Sequence, residues 1–184
     1  VTLAYCPRCD FVHNSKFDES HISFEPGYEV ALSHSAMFRQ FTDNVCERLI
    51  DRFDLNGKQI IEIGCGAGYF LSRLCKLGGN FGTGFDTSVP WAGKRQFGVG
   101  QVELRREYFT SEHSDLPCDF ICCLSVAEDI PHPAAFVRSL RQIIGDRRDI
   151  GIYFEVFNAF RAFREQETWS IHYEQCNYWG HDSF

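Results

Sequence analysis

An acidic, glycine-rich turn constrains the fold of this chain more than any other feature. An apolar, β-branched segment at 60–63 contains Glu62 and runs into three alternating glycines, Gly64, Gly66 and Gly68. The apolar residues that follow recur at helical spacing, so the run predicts a buried strand, a tight turn and a helix N-terminus in succession. Glycine accepts positive φ and lets a ligand lie against the backbone, so the turn is typical of a nucleotide-binding α/β unit.

A second carboxylate indicates which ligand this turn binds. Asp86 ends the next apolar segment and lies 18 residues after Gly68, close to the spacing at which α/β folds place the acid that binds a ribose. The pattern is Glu-x-Gly-x-Gly-x-Gly, and an acid before the loop would repel a pyrophosphate but suits the ammonium and sulfonium groups of S-adenosylmethionine (SAM). We therefore favour SAM over NAD or a mononucleotide, with a glycine turn in another α/β protein as the remaining alternative.

Strand and helix patterns alternate along most of the chain. An amphipathic helix is predicted from Ser35 to near Gly57, whereas residues 1–27 read as irregular. Strands are predicted at 59–64, 81–85, near 101–104, 119–124 and 150–156, and helices at 68–77 and 133–144. Such alternation predicts an α/β fold, a Rossmann-like, doubly wound and mostly parallel sheet that binds ligands at the carboxyl ends of its strands.

Composition narrows the function classes. The chain has 184 residues, enough for one domain with a small appendage, and its net charge of −7 gives no basic surface for nucleic acid. No apolar run is long enough to span a membrane and no signal peptide is recognisable, so we expect a cytoplasmic protein with a small-molecule substrate. The sequence does not determine the oligomeric state, and a homo-oligomer is compatible with it. The chain has nine cysteines, of which Cys65, Cys75, Cys118, Cys122 and Cys123 lie in apolar segments and are predicted to be buried free thiols.

Several motifs together resemble one enzyme family. The segments concerned are 6–18, 28–41, 56–66, 84–88, 118–123, 153–156 and 169–178. They resemble class I SAM-dependent methyltransferases, and more narrowly the C-methyltransferases of nucleotide-linked sugars and related metabolites, which carry an N-terminal zinc module. The resemblance implies a partial Cys-x-x-Cys module at 1–27, a segment and helix at 28–57, and a SAM-binding domain at 58–184. It also implies that the last two strands are missing or truncated, so we expect a fragment or a sheet edge completed by a partner chain.

The resemblance assigns cofactor contacts to eight residues. They are Glu62, Gly64, Gly66, Gly68, Asp86, Glu107, Tyr108 and Leu124. By this assignment the glycines line the methionine and ribose, Glu62 holds the loop and the ammonium group, and Asp86 accepts both ribose hydroxyls. Glu107 and Tyr108 would contact adenine, and the backbone of Leu124 would contact the methionine ammonium. For Glu107 a solvated loop charge is an equally good reading.

Three departures from the family pattern concern proton transfer. Ser125, Asp129 and Gln175 stand where the resembled family has histidines. A neutral amide takes no proton at pH 7, whereas an imidazole does. Methylation at carbon requires a base that removes a proton from the acceptor. The chain is therefore either a methyltransferase with a different base or a degenerate SAM-binding module with a regulatory or partner role.

The base, if there is one, must come from another residue. The candidates are Glu174, Asp129, Tyr28 and Tyr173, or a residue outside the motif. We predict Glu174 first, because burial within the aromatic segment 169–179 would raise its pKa toward neutrality. A purely structural carboxylate is the alternative. The predicted reaction is SAM-dependent methylation of a small metabolite, with C-methylation of a nucleotide-linked sugar as its most specific form.

The N-terminal Cys-x-x-Cys pair raises the question of zinc. Cys6 and Cys9 have the spacing of two zinc ligands, but a structural zinc site needs four. His13 and His21 could supply the other two, a second cysteine pair could precede this sequence, or no metal binds. We retain Cys6 and Cys9 as predicted metal ligands with these alternatives open.

Overall fold

The computed structural model describes residues 1–24 and 32–184, which form two compact units. The larger unit comprises residues 24–123 and 141–153, and the smaller comprises 1–23, 124–140 and 154–184. None of the helices in the described residues is both long and apolar enough to cross a membrane.

The larger unit contains the long helix that the sequence predicts after Ser35. Helix α1 (Ala36–Phe53) starts where the Ser35 hydroxyl accepts a hydrogen bond from the Phe38 amide at 3.3 Å. It ends at Asp54, whose backbone is left-handed. Cys46 and Leu49 on its buried face lie toward the core, as the amphipathic pattern predicts.

A six-stranded sheet carries most of the predicted strands. Its members are β3 (Gln59–Ile63), β4 (Phe81–Phe85), β5 (Gly93–Phe97), β6 (Gly100–Arg105), β7 (Phe120–Leu124) and β8 (Gly151–Glu155). The order is β5-β6-β4-β3-β7-β8, with β3 parallel to β4 and β7, and β4 parallel to β6. The predicted mostly parallel α/β sheet is confirmed, and among the described residues it ends at β8.

Strand β5 was not predicted. It pairs antiparallel with β6 at the edge of the sheet and its side chains are nearly all exposed. Its sequence, Gly-Lys-Arg-Gln-Phe, shows no apolar alternation, because an edge strand that faces solvent has no face to bury. Its basic residues also suit an edge that must not pair with another chain.

Helix α2 (Tyr69–Gly78) packs closely on the sheet because β4 is glycine-rich. A Cβ at Gly82 would lie 2.7 Å from the Cys75 sulfur and from Leu71 of α2, closer than atoms tolerate. Ile60 and Ile61 of β3 are buried in the sheet's interior. Two further α-helices in the described residues are α3 (Pro133–Ile144), which was predicted, and α4 (Ala159–Glu165), which was not.

The smaller unit contains a three-stranded antiparallel sheet where the sequence suggested irregular structure. Its strands are β1 (Leu3–Cys6), β2 (Phe11–Asn14) and β9 (Asn177–Tyr178), in the order β1-β2-β9. The expectation of an irregular 1–27 is therefore wrong for β1 and β2. Each is only four residues long, and Val12 of β2 packs in one cluster with Ala159 and Tyr178, which are distant in sequence. Such a strand carries little periodic signal of its own.

All nine cysteines are free thiols. Cys65, Cys75, Cys122 and Cys123 are buried, as predicted, whereas Cys118 is half-buried. Burial raises the pKa of Cys75 to about 12, so this thiol stays protonated and behaves as a small apolar side chain.

Candidate functional site

The register of the sheet brings the glycine loop beside Asp86. In the parallel pair of β3 and β4, Ile63 lies opposite Phe85, so both strands end at the same edge. The amides of Gly64 and Cys65 donate to the Phe85 carbonyl at 2.8 and 3.2 Å. Gly64, Gly66 and Gly68 have φ of 70°, 51° and 76°, which explains why glycine occupies each of these turn positions.

The Asp86 carboxylate connects the glycine loop after β3 with the loop after β4. Its Oδ2 accepts from the Gly66 amide at 2.8 Å, and its Oδ1 accepts from the Ser88 amide and hydroxyl at 2.7 and 2.6 Å. A carboxylate oxygen can accept two hydrogen bonds. Oδ2 accepts one and can therefore accept a second, and Oδ1 can accept a bond from a ligand when the Ser88 hydroxyl rotates away. The half-buried Asp86 thus has the capacity to accept two ribose hydroxyls.

Glu62 holds the start of α2. The side chain is 3% exposed, and its Oε2 accepts from the Leu71 amide at 3.1 Å. Gly68, the residue before the helix, offers no side chain for this purpose, and a carboxylate at a helix N-terminus also interacts favourably with the helix dipole. This bond fixes the first turn of α2, which follows the loop. The predicted contacts of Glu62 with the loop and with a ligand ammonium stay predictions.

The loop has room for a ligand on one side. A Cβ at Gly66 would meet no atom within 4 Å, whereas one at Gly68 would lie 2.9 Å from Leu104. The open side at Gly66 is also where the Asp86 carboxylate is bound. Together the bare backbone and the adjacent acid fit a ligand with a ribose, as SAM has.

The predicted adenine-contacting residues are at the surface. Glu107 Oε1 lies 3.3 Å from His113 Nε2, and Tyr108 is 70% exposed. The Thr110 amide donates to His113 Nδ1 at 3.0 Å, so Nδ1 is the acceptor and Nε2 carries the proton that is donated to Glu107. The adenine contacts of Glu107 and Tyr108 stay predictions, but Glu107 has a defined protein partner.

An aromatic cluster beside this loop was missed by the sequence analysis. The rings of Phe85, Phe109 and His113 lie with centroids 4.5 to 5.7 Å apart. Phe85 directly precedes Asp86, so the cluster adjoins the proposed ribose site. The Thr110-x-x-His113 spacing, which forms a capping box here, was the signal available in the sequence.

In the smaller unit, two segments that matched the family's active-site motifs pack together. The first follows Leu124, the half-buried last residue of β7, and runs through a short 3-10 turn at Ala127–Asp129. The Cys176 amide donates to the Glu128 carbonyl at 2.9 Å, and Asn177 Nδ2 donates to the Ala127 carbonyl at 3.1 Å. These bonds fix residues 127–130 against 176–177.

Buried acceptor oxygens gather where these segments meet. Glu128 is 2% exposed, and its Oε1 accepts from the Phe157 amide at 2.5 Å. Within the described part of the chain, Glu128 Oε2, Asp129 Oδ1 and Gln175 Oε1 are buried and have no hydrogen-bond donor. Buried acceptors without donors are costly when they carry charge.

The pKa of Asp129 is shifted by this environment. Burial, and then the negative charges of Glu128 and Glu174, raise the pKa of the Asp129 carboxyl from 3.8 to about 7. Burial also raises the pKa of Glu128. The pH at which Asp129 loses its proton therefore lies near neutrality, where a general acid or base works best.

This environment makes stability depend on pH. The folded-state pKa of Asp129 is raised, so the unfolding free energy is highest below the ordinary value of 3.8 and falls as the pH rises to about 7. We expect Asp129→Asn to increase the unfolding free energy by about 1–4 kcal/mol at pH 8 and to change it little at pH 4. Urea unfolding at both pH values measures this, and an equal effect at both would contradict it.

Tyr173 lies against the N-terminal segment of the smaller unit. Its hydroxyl accepts from the Asp18 amide at 3.2 Å and lies 3.5 Å from His21 Nδ1, and its ring stacks on Phe17 at 5.9 Å. An open cavity of about 520 Å³ beside it is lined by residues 15–19, Pro131 and His132. The third predicted catalytic residue, Tyr28, lies outside the described residues.

The zinc prediction receives no support. The Cys9 thiol donates to the Cys6 sulfur, which lowers the pKa of Cys6 and raises that of Cys9. Within 1–24 and 32–184, however, no three His, Cys, Asp or Glu side chains are grouped as metal ligands. His13 stacks on Phe11 instead, and His21 lies beside Tyr173. Two sulfurs supply only half of a structural zinc site.

Comparison with known proteins agrees with the geometry of the larger unit. A family described as "Methyltransferase domain" matches residues 34–184. Similar proteins include a ubiquinone biosynthesis O-methyltransferase from Neisseria meningitidis serogroup C, 26% identical over 112 residues that cover 57% of this chain and 46% of the relative. The same-named protein of Aeromonas salmonicida is 31% identical over 101 residues, covering 49% and 40%. The chain spans less than half the length of these two relatives.

A solved structure is similar in fold. It is the magnesium protoporphyrin IX methyltransferase ChlM from Synechocystis PCC 6803 with bound SAH, with a TM-score of 0.51 and 18% sequence identity. The match covers 79% of this chain and 67% of that one. At this level of identity the likeness concerns the arrangement of strands and helices alone.

Proposed function

The chain belongs to the methyltransferase domain family, and from this premise we propose that it transfers a methyl group from SAM to a small molecule. The observation that carries the proposal is the joined site of the larger unit: positive-φ glycines, the buried Glu62 and the Asp86 carboxylate at one edge of a parallel sheet. This is the edge at which such sheets bind ligands. SAM supplies an electrophilic methyl group on a sulfonium.

Each residue of the site is proposed to contact a different part of SAM. Asp86 accepts from the ribose hydroxyls, and Gly66 leaves its open side to the ligand. Glu62 fixes the start of α2 and adds negative charge near the cationic methionine end. Glu107 and Tyr108 are proposed at the adenine, and the backbone of Leu124 at the methionine ammonium.

We propose a hydroxyl oxygen as the methyl acceptor. The two ubiquinone biosynthesis O-methyltransferases similar to this chain carry that chemistry in their names. C-methylation of a nucleotide-linked sugar, suggested by motif resemblance, gains no support from these relatives, and zinc is not part of the proposal. Glu174 is proposed as the base, and Tyr173 and Tyr28 are proposed to contact the acceptor.

Methyl transfer from labelled SAM tests the proposal directly. We expect label to appear in a hydroxylated aromatic or other small hydroxyl acceptor and not in the matched methoxy compound, because the oxygen must lose a proton to be methylated. The panel should include nucleotide-linked sugars and small amines, and mass spectrometry should locate the label. Label on a sugar carbon would show that the enzyme methylates carbon and would contradict the proposed O-methylation.

The same experiment separates an enzyme from a degenerate module. Binding of SAM and SAH by calorimetry, with no transfer to any acceptor class, would favour a SAM-binding partner protein. Binding of NAD without binding of SAM would contradict the cofactor assignment itself.

A further inference from the structure

The sheet of the larger unit places Glu107 at the same edge as Asp86. In the parallel pair of β4 and β6, Phe85 lies opposite Arg105, and the Asp86 amide donates to the Arg105 carbonyl at 3.1 Å. Glu107 follows two residues after Arg105. The adenine of SAM is bonded to the ribose that is proposed to bind Asp86, so an acid just past the end of the neighbouring strand is suited to contact the base.

The ring of His113 is held in one orientation by its neighbours. Its side chain is only 11% exposed, and the rings of Phe85 and Phe109 lie with centroids 4.5 and 5.7 Å from it. The Thr110 amide donates to His113 Nδ1 at 3.0 Å within the capping box. A capping box uses a single acceptor of the side chain. Histidine in this role therefore keeps a second ring nitrogen, Nε2, with a proton to donate.

The Nε2 atom of this fixed ring lies 3.3 Å from Glu107 Oε1. The Glu107 side chain is half exposed, and an exposed glutamate otherwise samples several rotamers. The bond to His113 uses one acceptor position of the carboxylate, and a carboxylate has about four. Glu107 can therefore accept from a ligand while His113 holds it. A side chain that is ordered before the ligand arrives loses less conformational freedom on binding, so the bond preorganises Glu107.

We propose that His113 is a positioning residue that orients Glu107 to accept a hydrogen bond from the exocyclic amino group of adenine, so that the site selects adenine over a 6-oxo purine. This rests on the proposed function. The amino group of adenine donates, whereas the oxygen at the same position of a 6-oxo purine only accepts. A carboxylate that faces this oxygen finds no proton between the two acceptors. A site built to hydrogen-bond one ligand group rejects the analogue that lacks it.

Calorimetric binding of SAH and of its 6-oxo analogue, S-inosylhomocysteine, tests the proposal without turnover. The selectivity is the Kd of the analogue divided by the Kd of SAH. We expect a selectivity of about 10 to 150 in the unaltered protein, the range for a lost hydrogen bond to a charged group. His113→Phe keeps a ring beside Phe85 and Phe109 but has no ring nitrogen. It should lower the selectivity by about 3- to 10-fold and change the Kd of the analogue by less than about threefold, because the analogue gains nothing from an ordered Glu107.

Three further variants separate an effect through Glu107 from a general loss of structure. Glu107→Ala should remove most of the selectivity, and adding His113→Phe to it should change the selectivity no further, because the two residues act as one unit. His113→Gln retains an N–H donor on a side chain that can reach Glu107, so it should keep more of the selectivity than His113→Phe. Glu112→Gln removes an exposed carboxylate from the same short turn and should leave both affinities unchanged.

The outcomes distinguish the role of His113 from the cofactor assignment. An unchanged selectivity in His113→Phe overturns the positioning role, and so does an equal loss of affinity for both ligands, which a purely structural residue would produce. A further loss of selectivity when His113→Phe is added to Glu107→Ala also overturns it, because His113 would then act without Glu107. In each of these cases SAH still binds and the proposed function stands. If SAH does not bind the unaltered protein, the proposed function fails and the role of His113 fails with it.

Discussion

Asp86→Ala weakens the binding of SAM and SAH by about 10- to 150-fold, if Asp86 receives the ribose hydroxyls. The expected cost is about 1.5–3 kcal/mol, the range for a lost hydrogen bond to a charged group. Part of it comes from the protein itself, because Asp86 also holds the Gly66 amide and Ser88. Calorimetric titration with SAH measures the change.

Two further variants separate ligand contact from loop order. Asp86→Asn keeps one acceptor oxygen and the side-chain shape, so it should lose less affinity than Asp86→Ala. Asp51→Ala removes an exposed carboxylate of α1 and should leave the affinity unchanged. Equal affinity in Asp86→Ala and the unaltered protein, with equal thermal stability, would remove Asp86 from the site.

The larger unit could be predicted well because its signals are local. The strand at Gln59–Ile63 and the turn of Gly64, Gly66 and Gly68 each show their pattern within a few residues. Parallel pairing then brings the ends of β3 and β4 to one edge, so Asp86 could be placed beside the loop from spacing alone. In the structure the Asp86 carboxylate accepts a hydrogen bond from the Gly66 amide, so the two do lie side by side.

The smaller unit could not be predicted in the same way. The strand β2 is completed by Tyr178, more than 160 positions away in the sequence, and no short window contains both. Likewise, the pKa of Asp129 depends on burial and on the charges of Glu128 and Glu174, and its Oδ1 has no donor within the part of the chain that the structure describes. Sequence analysis identified Asp129 as a departure from the family pattern, but burial, which decides its pKa, is a property of the folded chain.

Glu174→Gln is expected to reduce turnover by about 10²–10⁴-fold and to leave the Kd for SAM unchanged, because a positioned general base contributes a factor of this size. The amide keeps the shape of the carboxylate but cannot accept a proton at neutral pH. Single-turnover rates with saturating SAM measure the loss, and calorimetry verifies that cofactor binding is retained. Full activity in Glu174→Gln would move the role of base to Asp129.

Gln175→His tests the same assignment through an expected increase in the rate of methyl transfer. An imidazole next to Glu174 would restore the residue type that the resembled family has at this place, and its ordinary pKa near 6.5 suits proton transfer at pH 7. If Glu174 is the base and is limited by its proton affinity, Gln175→His should raise the rate and should partly rescue Glu174→Gln. Gln166→His, placed on the left-handed residue after α4, adds an imidazole elsewhere in the smaller unit and serves as the control. Rescue by both variants would show a nonspecific effect of histidine, whereas rescue by Gln175→His alone requires a base at the segment that carries Glu174.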